Sequence, residues 1–541
     1  MVKINIFGTG VILQAAIWAA CGMAFILFGY DQGVFSGIVE NDDFLGTMNH
    51  PRDSLMGIIV SIYNLGCFTG CIVNFIIGDW LGRRRAMWLA MVWVTIGATL
   101  QASAFSVPHL MVGRFVTGIG TGIETSTVPM YQSELCEASK RGKLVCSEPL
   151  LVGVGIVISY FFDYGMSFVG GQIAWRLPIA CQMIFAFVVI VLVFGLPESP
   201  RYCYKEGRND QALQILSDVY GRPKDDPKIL AEQAEILEAL AVETKHGEYK
   251  WRYSAVLVLR CYLLLVADRI RNILKRDEVS TGHRVLLAYG MQFMNQVGGI
   301  NLIVYFIPTV LSNNVGLSKN LSLIIGGCVQ IMFVVGSLFP TFFVDRVGRR
   351  TPMIWGSFGL GICMMMVAIL LSFKGTDKEH ATASASIAFF FIYMLIFGAS
   401  VNCIPWCYVP EILPLHARAK GTAVGISSNW IWNFFVVMIT PVIINRLQWK
   451  AYLIFMCTNF AFVPLVYFCY PETAQFTLEE IDFLFTNPEK GPVKLSKELR
   501  KERTRGNGRS LVTDTGIMRR MSVPGKKEQG GMTFEEQVEK V

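Results

Sequence analysis

The segment Asp79-Trp-Leu-Gly-Arg-Arg84 returns later in the chain as Asp345-Arg-Val-Gly-Arg-Arg350. Tyr131-Gln-Ser-Glu134, followed by Arg141, returns as Tyr408-Val-Pro-Glu411, followed by Arg418. Pro197-Glu-Ser returns as Pro471-Glu-Thr. All three pairs lie roughly 270 residues apart, and self-similarity at a near-constant spacing marks a duplicated unit. Between these motifs the chain runs in apolar blocks close to the ~20 residues that a helix needs to cross a bilayer. We expect twelve transmembrane helices, at 15–38, 55–77, 86–105, 108–131, 143–165 and 177–196, then 283–312, 321–344, 352–373, 385–409, 419–444 and 449–470. The motif pairs then follow the second, fourth and sixth span of each half. The fold class is an all-α membrane protein, two six-helix pseudo-repeats with cytoplasmic helices added.

Composition agrees with that reading. Hydrophobic residues make up 53% of the 541-residue sequence and charged ones 16%, against about 25% in an ordinary soluble domain. This excludes a soluble enzyme, a nucleic-acid binder and a disordered chain. The net charge of +7 points to no nucleic acid, because the basic residues cluster beside spans. Arg83, Arg84 and Arg85, then Lys140, Arg141 and Lys143, then Arg346, Arg349 and Arg350, then Arg418 and Lys420 mark alternate connections. Positive charge favours the cytoplasmic side, so both termini and the central insert are expected there. The domains are then a cytoplasmic N-terminus (1–14), a six-helix bundle (15–196), a cytoplasmic helical linker (197–282), a second bundle (283–470) and a cytoplasmic tail (471–541), largely disordered after 488. The segment 254–266 is too short to span and is broken by Arg260, so it is expected on the inner surface. The sequon at Asn320-Leu-Ser322 falls outside the cell and is a candidate glycosylation site.

A duplicated helical bundle places its binding site between the halves near midplane and works by rocking one half against the other. The repeated motifs suit a cytoplasmic gate, since carboxylates and guanidiniums at helix ends form charge-assisted, often bidentate pairs. Its candidates are Asp79, Arg84, Arg85, Glu134 and Arg141 in one half and Asp345, Arg349, Arg350, Glu411 and Arg418 in the other. Fourteen cysteines, mostly one per span, show no metal-ligand spacing. Cys67 and Cys71, like Cys403 and Cys407, lie one turn apart and read as small apolar packing residues. No phosphate loop and no His or Cys cluster is visible, so no catalytic residue, metal or cofactor is expected.

These motifs carry a resemblance. Gly29-Tyr-Asp-Gln-Gly33, the two Asp-x-x-Gly-Arg-Arg loops, Gly113-Arg114-Phe and Pro197-Glu-Ser-Pro-Arg201 occur in order. Gln292-x-x-x-Gln296-x-x-Gly299-x-Asn301, Pro405-Trp406 and Pro471-Glu-Thr follow. Together, over roughly residues 15–485, the chain resembles the sugar porter group of the major facilitator superfamily, and in detail its fungal members. The resemblance implies the twelve-helix major facilitator fold with four to five cytoplasmic helices.

An ionisable residue inside a span is costly and marks a functional path. Asp31 lies deep in the first span and Arg114 early in the fourth, where they could neutralise one another. Proton binding to Asp31 would then release Arg114. In proton-coupled members of the family an Asp at this motif position has that role. Substrate polarity is read from the second half. Gln292, Asn295 and Gln296, at i, i+3 and i+4, share a helix face, with Asn301 beyond, and Asn429 and Asn433 are again one turn apart. Amides both donate and accept, which suits neutral hydroxyl groups, and Trp406 offers an apolar plate for a sugar ring. Gln292, Gln296, Asn301, Trp406 and Asn429 match family sugar-contact positions. This chain departs from the family at Pro149, with Glu148 beside it as either a substrate or proton group or a packing residue. It departs again at Asn295, Phe306 and Val401–Ile404, while Gln330 is a candidate on the eighth span.

The expected function is proton symport of a monosaccharide, hexose or pentose, by a monomer in the plasma membrane. The expected partners are the sugar, the proton and the lipid bilayer. Facilitated diffusion, proton-coupled transport of a polyol, disaccharide or quinate-like acid, and nutrient sensing are the alternatives.

Overall fold

The computed structural model describes residues 6–136, 138–245, 280–414, 418–476, 478–486 and 491–505, so the segment 254–266 lies outside the described residues. Every regular element among them is helical. The first half contains α1 (Val11–Ile38), a short α2 (Asp42–Thr47), α3 (Asp53–Leu81), α4 (Arg83–Ala102), α5 (Val107–Leu135), α6 (Ala138–Met166) and α7 (Ile173–Phe194). The linker forms α8 (Pro200–Lys205), α9 (Asn209–Tyr220) and α10 (Pro227–Lys245). The second half contains α11 (Thr281–Val297), α12 (Ile300–Val310), α13 (Lys319–Val347), α14 (Arg350–Leu371), α15 (Glu379–Ala399), α16 (Ile404–Ile412), α17 (Arg418–Leu447) and α18 (Ala451–Cys469). The tail adds α19 (Leu478–Thr486) and α20 (Pro492–Arg505).

Nine described stretches are apolar and long enough to cross a membrane, and one of them, Gly421–Cys469, is 49 residues long and contains two spans. The two remaining spans are α4, which opens on three arginines, and α5, which carries Arg114 and Glu124. Both are held by packing rather than by bulk hydropathy: α5 lies between α3 and α4. Gly66 and Gly70 of α3 meet Gly118 and Gly122 of α5, and a Cβ on any of them would strike the opposite backbone. Small residues four apart on both helices are what lets membrane helices approach this closely.

Burial separates rim from centre. On α7 the side chains of Ile184, Phe187 and Val191 are exposed, while Trp175, Ile179 and Val189 face inward. In the seventh span, α11 with α12, 89% of the apolar window is buried. The halves meet where α3 packs on α17 and α6 packs on α13.

Spans seven and ten are broken, which hydropathy did not indicate. Gly298 and Gly299 interrupt the seventh, Gly299 with φ 101°, and residues 400–403 interrupt the tenth. Broken backbone is tolerated at membrane depth only where its polar groups find partners. Here the Gly298 carbonyl accepts from Asn459 Nδ2 (2.8 Å) and Tyr393 Oη (2.9 Å), and the Val297 carbonyl accepts from Thr458 (3.2 Å).

The tail departs from expectation beyond residue 488. Instead of starting a disordered stretch there, residues 492–505 form α20, with Leu495 and Leu499 buried and Arg500 bound to Glu472 at 3.1 Å. Its alternating charges hid an amphipathic helix. Residues 506–541 lie outside the described residues.

Candidate functional site

Around the two breaks the predicted amides form one network. Gln296 Nε2 donates to Asn429 Oδ1 (2.6 Å) and to Asn295 Oδ1 (2.8 Å), and Asn301 Nδ2 donates to Gln296 Oε1 (2.6 Å). Asn295 Nδ2 donates to the Val401 carbonyl (2.9 Å), tying one broken span to the other. Asn295 is thus bound to the scaffold, whereas Gln292, fully buried, has neither its oxygen nor its nitrogen paired. Trp406 is half-buried on α16. Asn433 faces across the molecule: its Oδ1 accepts from Asn64 Nδ2 of α3 at 2.9 Å.

Sequence reasoning missed several neighbours. Trp430 projects from α17 against Phe28 and Tyr63 of the first half, at ring distances of 5.4 and 6.5 Å. Both polar atoms of Gln330, the candidate on the eighth span, are buried and unpaired, and so are those of neighbours not singled out in the sequence: the Trp430 indole nitrogen and the Tyr63 and Tyr305 hydroxyls. Only their place in the fold distinguishes them from packing aromatics. Near the outer ends of the halves a cleft of about 170 Å³ is lined by Glu40, Asp53, Met56, Phe306, Asn313 and Asn445, among others.

Charge sits in the first half. Asp31 is buried, and neither of its carboxylate oxygens has a hydrogen-bond partner. Arg114 is fully buried; its Nη2 donates to the Val60 carbonyl (2.9 Å) and its guanidinium lies 3.8 Å from the Phe35 ring centre. The two charges act on one another without a direct ion pair, and Tyr305 of α12 lies within the field of both. Glu148 is buried with one oxygen unpaired, beside Cys407. Two further carboxylates, Glu124 of α5 and Asp163 of α6, are buried with both oxygens unpaired. The rule that picks out Asp31 applies equally to them.

At the end of the bundle that carries the repeated motifs the two halves are built alike. Arg349 makes a bidentate pair with Glu411 (2.7 and 3.1 Å) and a second contact to Asp345 (3.0 Å). In the first half Arg83, rather than Arg84, makes the bidentate pair with Glu134 (3.1 and 3.2 Å). Arg84 instead donates to the Phe194 carbonyl (2.7 Å), as Arg350 does to the Tyr467 carbonyl. Arg85 is exposed, and the side chains of Asp79, Arg141 and Arg418 lie outside the described residues. These pairs join helices within one half.

The repeated Pro-Glu-Ser/Thr motif caps an earlier helix, α4 in the first half and α14 in the second. Glu198 Oε1 accepts from the amides of Arg83 (3.0 Å) and Arg84 (3.2 Å), and Glu472 accepts from those of Arg349 (2.8 Å) and Arg350 (3.2 Å). A carboxylate at a helix N-terminus satisfies orphan amides and suits the macrodipole. Burial nevertheless pushes the Glu198 carboxyl up from its ordinary range, against the pull of those amides and Arg83. Tyr131 and Tyr408 add matching bonds to the carbonyls of Pro197 (2.7 Å) and Pro471 (3.0 Å). At the outer end Lys319 reaches Asp42 at 2.6 Å, and Asn320 is exposed beside it.

Known proteins match this arrangement. The family model described as sugar (and other) transporter covers residues 15–485. The MFS-type transporter oryC of Aspergillus oryzae is 40% identical over 485 residues, 89% of this chain and 87% of that protein. The sugar transporter STL1 of Saccharomyces cerevisiae is 31% identical over 490 residues, 88% and 82% of the two chains. In fold the chain is similar to the proton:xylose symporter XylE bound to 6-bromo-6-deoxy-D-glucose, with a TM-score of 0.71 at 23% identity over 87% of this chain and 99% of that one. Twelve spans in two like halves, a shared motif set, the family model over residues 15–485 and these relatives together place the chain in the sugar (and other) transporter family of the major facilitator superfamily, as a multi-pass membrane transporter and not an enzyme.

Proposed function

We propose that the protein carries a neutral polyhydroxyl compound, a hexose or pentose, into the cell together with a proton. The observation that carries the reading is the pairing of two kinds of buried, unpaired polar group at the centre. Gln292, Tyr305, Trp430 and Gln330 offer uncharged donors and acceptors, and Asp31 offers a carboxylate without a hydrogen bond. A buried polar group left unpaired costs about 1–3 kcal/mol, so hydroxyl groups that pair with this set are bound selectively. Among the described residues no cation bonds to these amides to favour an anion; Arg114 bonds to the Val60 carbonyl and acts on Asp31. Similarity to STL1, a sugar transporter, supports a sugar, and similarity to XylE, a proton:xylose symporter, supports coupling to protons.

In mechanism, a proton from the outer cleft neutralises Asp31 and frees Arg114 to hold the Val60 carbonyl and the Phe35 ring. Tyr305 carries the change to α12, the half-helix that bears Asn301. Substrate then bridges Gln292, Gln296, Asn301 and Asn429 of the second half to the first, with Trp406 against the ring. The closed pair of halves rocks, and the substrate and proton leave to the cytoplasm. The plasma membrane, cytoplasmic termini and a monomeric carrier belong to the same proposal.

The test is uptake of labelled glucose, fructose, galactose, xylose, arabinose, glycerol, lactose and quinate in a transporter-deficient yeast. It is run at acidic and neutral external pH, with and without protonophore, for the native chain and Asp31→Asn. Accumulation of a monosaccharide, greater at acidic pH and lost with protonophore and in the variant, is expected. Equilibration indifferent to protonophore and to the substitution would overturn coupling and leave facilitated diffusion. Uptake of glycerol or quinate alone would overturn the monosaccharide.

A further inference from the structure

Three thiols meet at the junction of the halves. Cys146 stands on α6 of the first half, Cys403 at the break in the tenth span and Cys407 on α16. All three are buried, and their sulfurs lie within 4.8 Å of one another. The Cys146 and Cys407 sulfurs are 3.2 Å apart. Thr341 of α13 donates to the Cys146 carbonyl at 3.3 Å, the Cys403 thiol approaches the same carbonyl at 3.8 Å, and the carboxylates of Glu148 and Glu411 act on Cys407 and Cys146 from beside the group. The charge of Arg349 acts on both Cys146 and Cys407.

We propose that Cys146, Cys403 and Cys407 form a thiolate site for a soft d10 cation of the copper(I) class, which bridges the two halves and holds the cytoplasmic side closed. The sulfur spacing suits it. Three thiolates at ~2.3 Å around one ion stand roughly 4 Å from each other, inside the 4.8 Å that bounds the three sulfurs here. The donor set is all sulfur, which selects soft ions over magnesium or calcium. A zinc site of structural type needs a fourth ligand, whereas a cuprous ion accepts two or three thiolates. Binding releases one proton from each thiol that becomes a ligand, and Arg349 offsets part of the negative charge that results.

The consequence follows from where the ligands come from. When the cytoplasmic side opens, α6 moves away from α16, and Cys146 leaves Cys403 and Cys407. The complete site therefore exists only in the closed arrangement. An ion that binds one of two states shifts the population by its differential affinity. Free ion at about 100 times its dissociation constant favours the closed state about 100-fold. Rocking then stalls, and a chelator restores it.

The test uses the full chain, purified in detergent and reconstituted. Copper(I) stoichiometry is measured by competition with a chromogenic chelator for the native protein, Cys146→Ser, Cys403→Ser, Cys407→Ser and the exposed-site control Cys457→Ser. One equivalent is expected to disappear in each of the first three and to remain in the control. In vesicles, copper(I) is expected to slow native uptake about tenfold and to leave Cys146→Ala uptake unchanged. Unchanged stoichiometry in all three variants overturns the site. Loss confined to Cys403→Ser and Cys407→Ser, with Cys146→Ala still inhibited, overturns the bridge. The binding measurement does not depend on which substrate is carried, so its failure is separable from failure of the symport reading.

Discussion

The two halves descend from one pattern yet hold their membrane-depth polarity in different chemistry. In the first half charge stands out beside buried amides such as Asn64, Gln101 and Gln182: Asp31, Arg114, Glu124, Glu148 and Asp163 are all buried. In the second amides dominate, Gln292, Asn295, Gln296, Asn301, Asn402, Asn429, Asn433 and Asn459, with Arg284 a buried charge near the start of α11. Their backbones differ in step. Spans one and four run unbroken as α1 and α5, while their counterparts seven and ten are each split in two. At the ends that carry the repeated motifs, among the described residues, Arg83 and Arg349, Glu134 and Glu411, Glu198 and Glu472, and Tyr131 and Tyr408 keep the same bonds. Duplication has conserved the frame and specialised the centre. Under the proposed symport, ionisable groups suit the half assigned to the proton, and neutral amides on interrupted helices suit the half assigned to the solute.

That division can be broken by substitution. The largest effect is expected in the charged half: Asp31→Asn abolishes accumulation against a gradient while counterflow exchange continues, measured in vesicles with an imposed pH difference. Loss of exchange as well would mean that Asp31 is part of the substrate site. Next comes the amide half. Gln292→Leu removes a buried donor and acceptor at similar volume, and KM is expected to rise about 10- to 100-fold, the equivalent of roughly 1.4–2.8 kcal/mol, with protonophore sensitivity intact. An unchanged KM would remove Gln292 from the site.

The conserved frame should respond in both halves. Gly82 and Gly348 have φ of 82° and 93°, with extended ψ, and a Cβ on either would press on the capping carboxylate. Alanine at each is expected to cost about 1–3 kcal/mol, read as a lowered Tm in detergent, with Gly348 the worse because Glu472 lies closer. Equal tolerance would show that the caps are dispensable. Smaller still is Asn459→Ala, which leaves the Gly298 carbonyl with Tyr393 alone. A loss of about 0.6 kcal/mol is expected, since polar contacts in membranes average that little. The smallest change belongs to Lys319→Ala, at or below ~1 kcal/mol for an exposed pair.

Much of this was legible in the chain. Ten spans declare themselves by hydropathy, and the repeated motifs place α4 and α5, whose polar residues dilute the signal. Asp31 and the amides of the seventh span were found because ionisable or clustered polar residues stand out against apolar neighbours. Other features had no such contrast. The breaks at Gly298-Gly299 and residues 400–403 look like ordinary small-residue packing until Asn459, Tyr393 and Thr458 are seen to hold the freed carbonyls. Arg83 and Arg84 are adjacent and chemically equal, so only helix geometry decides which one meets Glu134. Cys146 lies 257 residues from Cys403 in sequence, and no local spacing announces their meeting.

The amide pair between Asn64 and Asn433 bears on speed. Among the described residues it stands at the seam beside aromatic rings and small side chains, while the ion pair that also crosses the seam, Lys319 with Asp42, is in water. Parting a neutral hydrogen bond costs about 0.5–1.5 kcal/mol, and the exposed pair at most about as much and less in salt. The bonds of Tyr160 to the Val304 carbonyl (2.7 Å) and of Thr341 to the Cys146 carbonyl (3.3 Å) also cross the seam and are likewise neutral, so none of these is a deep trap. The activation barrier between outward and inward arrangements is then governed by how Trp430 slides off Phe28 and Tyr63, a steric event, and turnover should track temperature far more steeply than ionic strength.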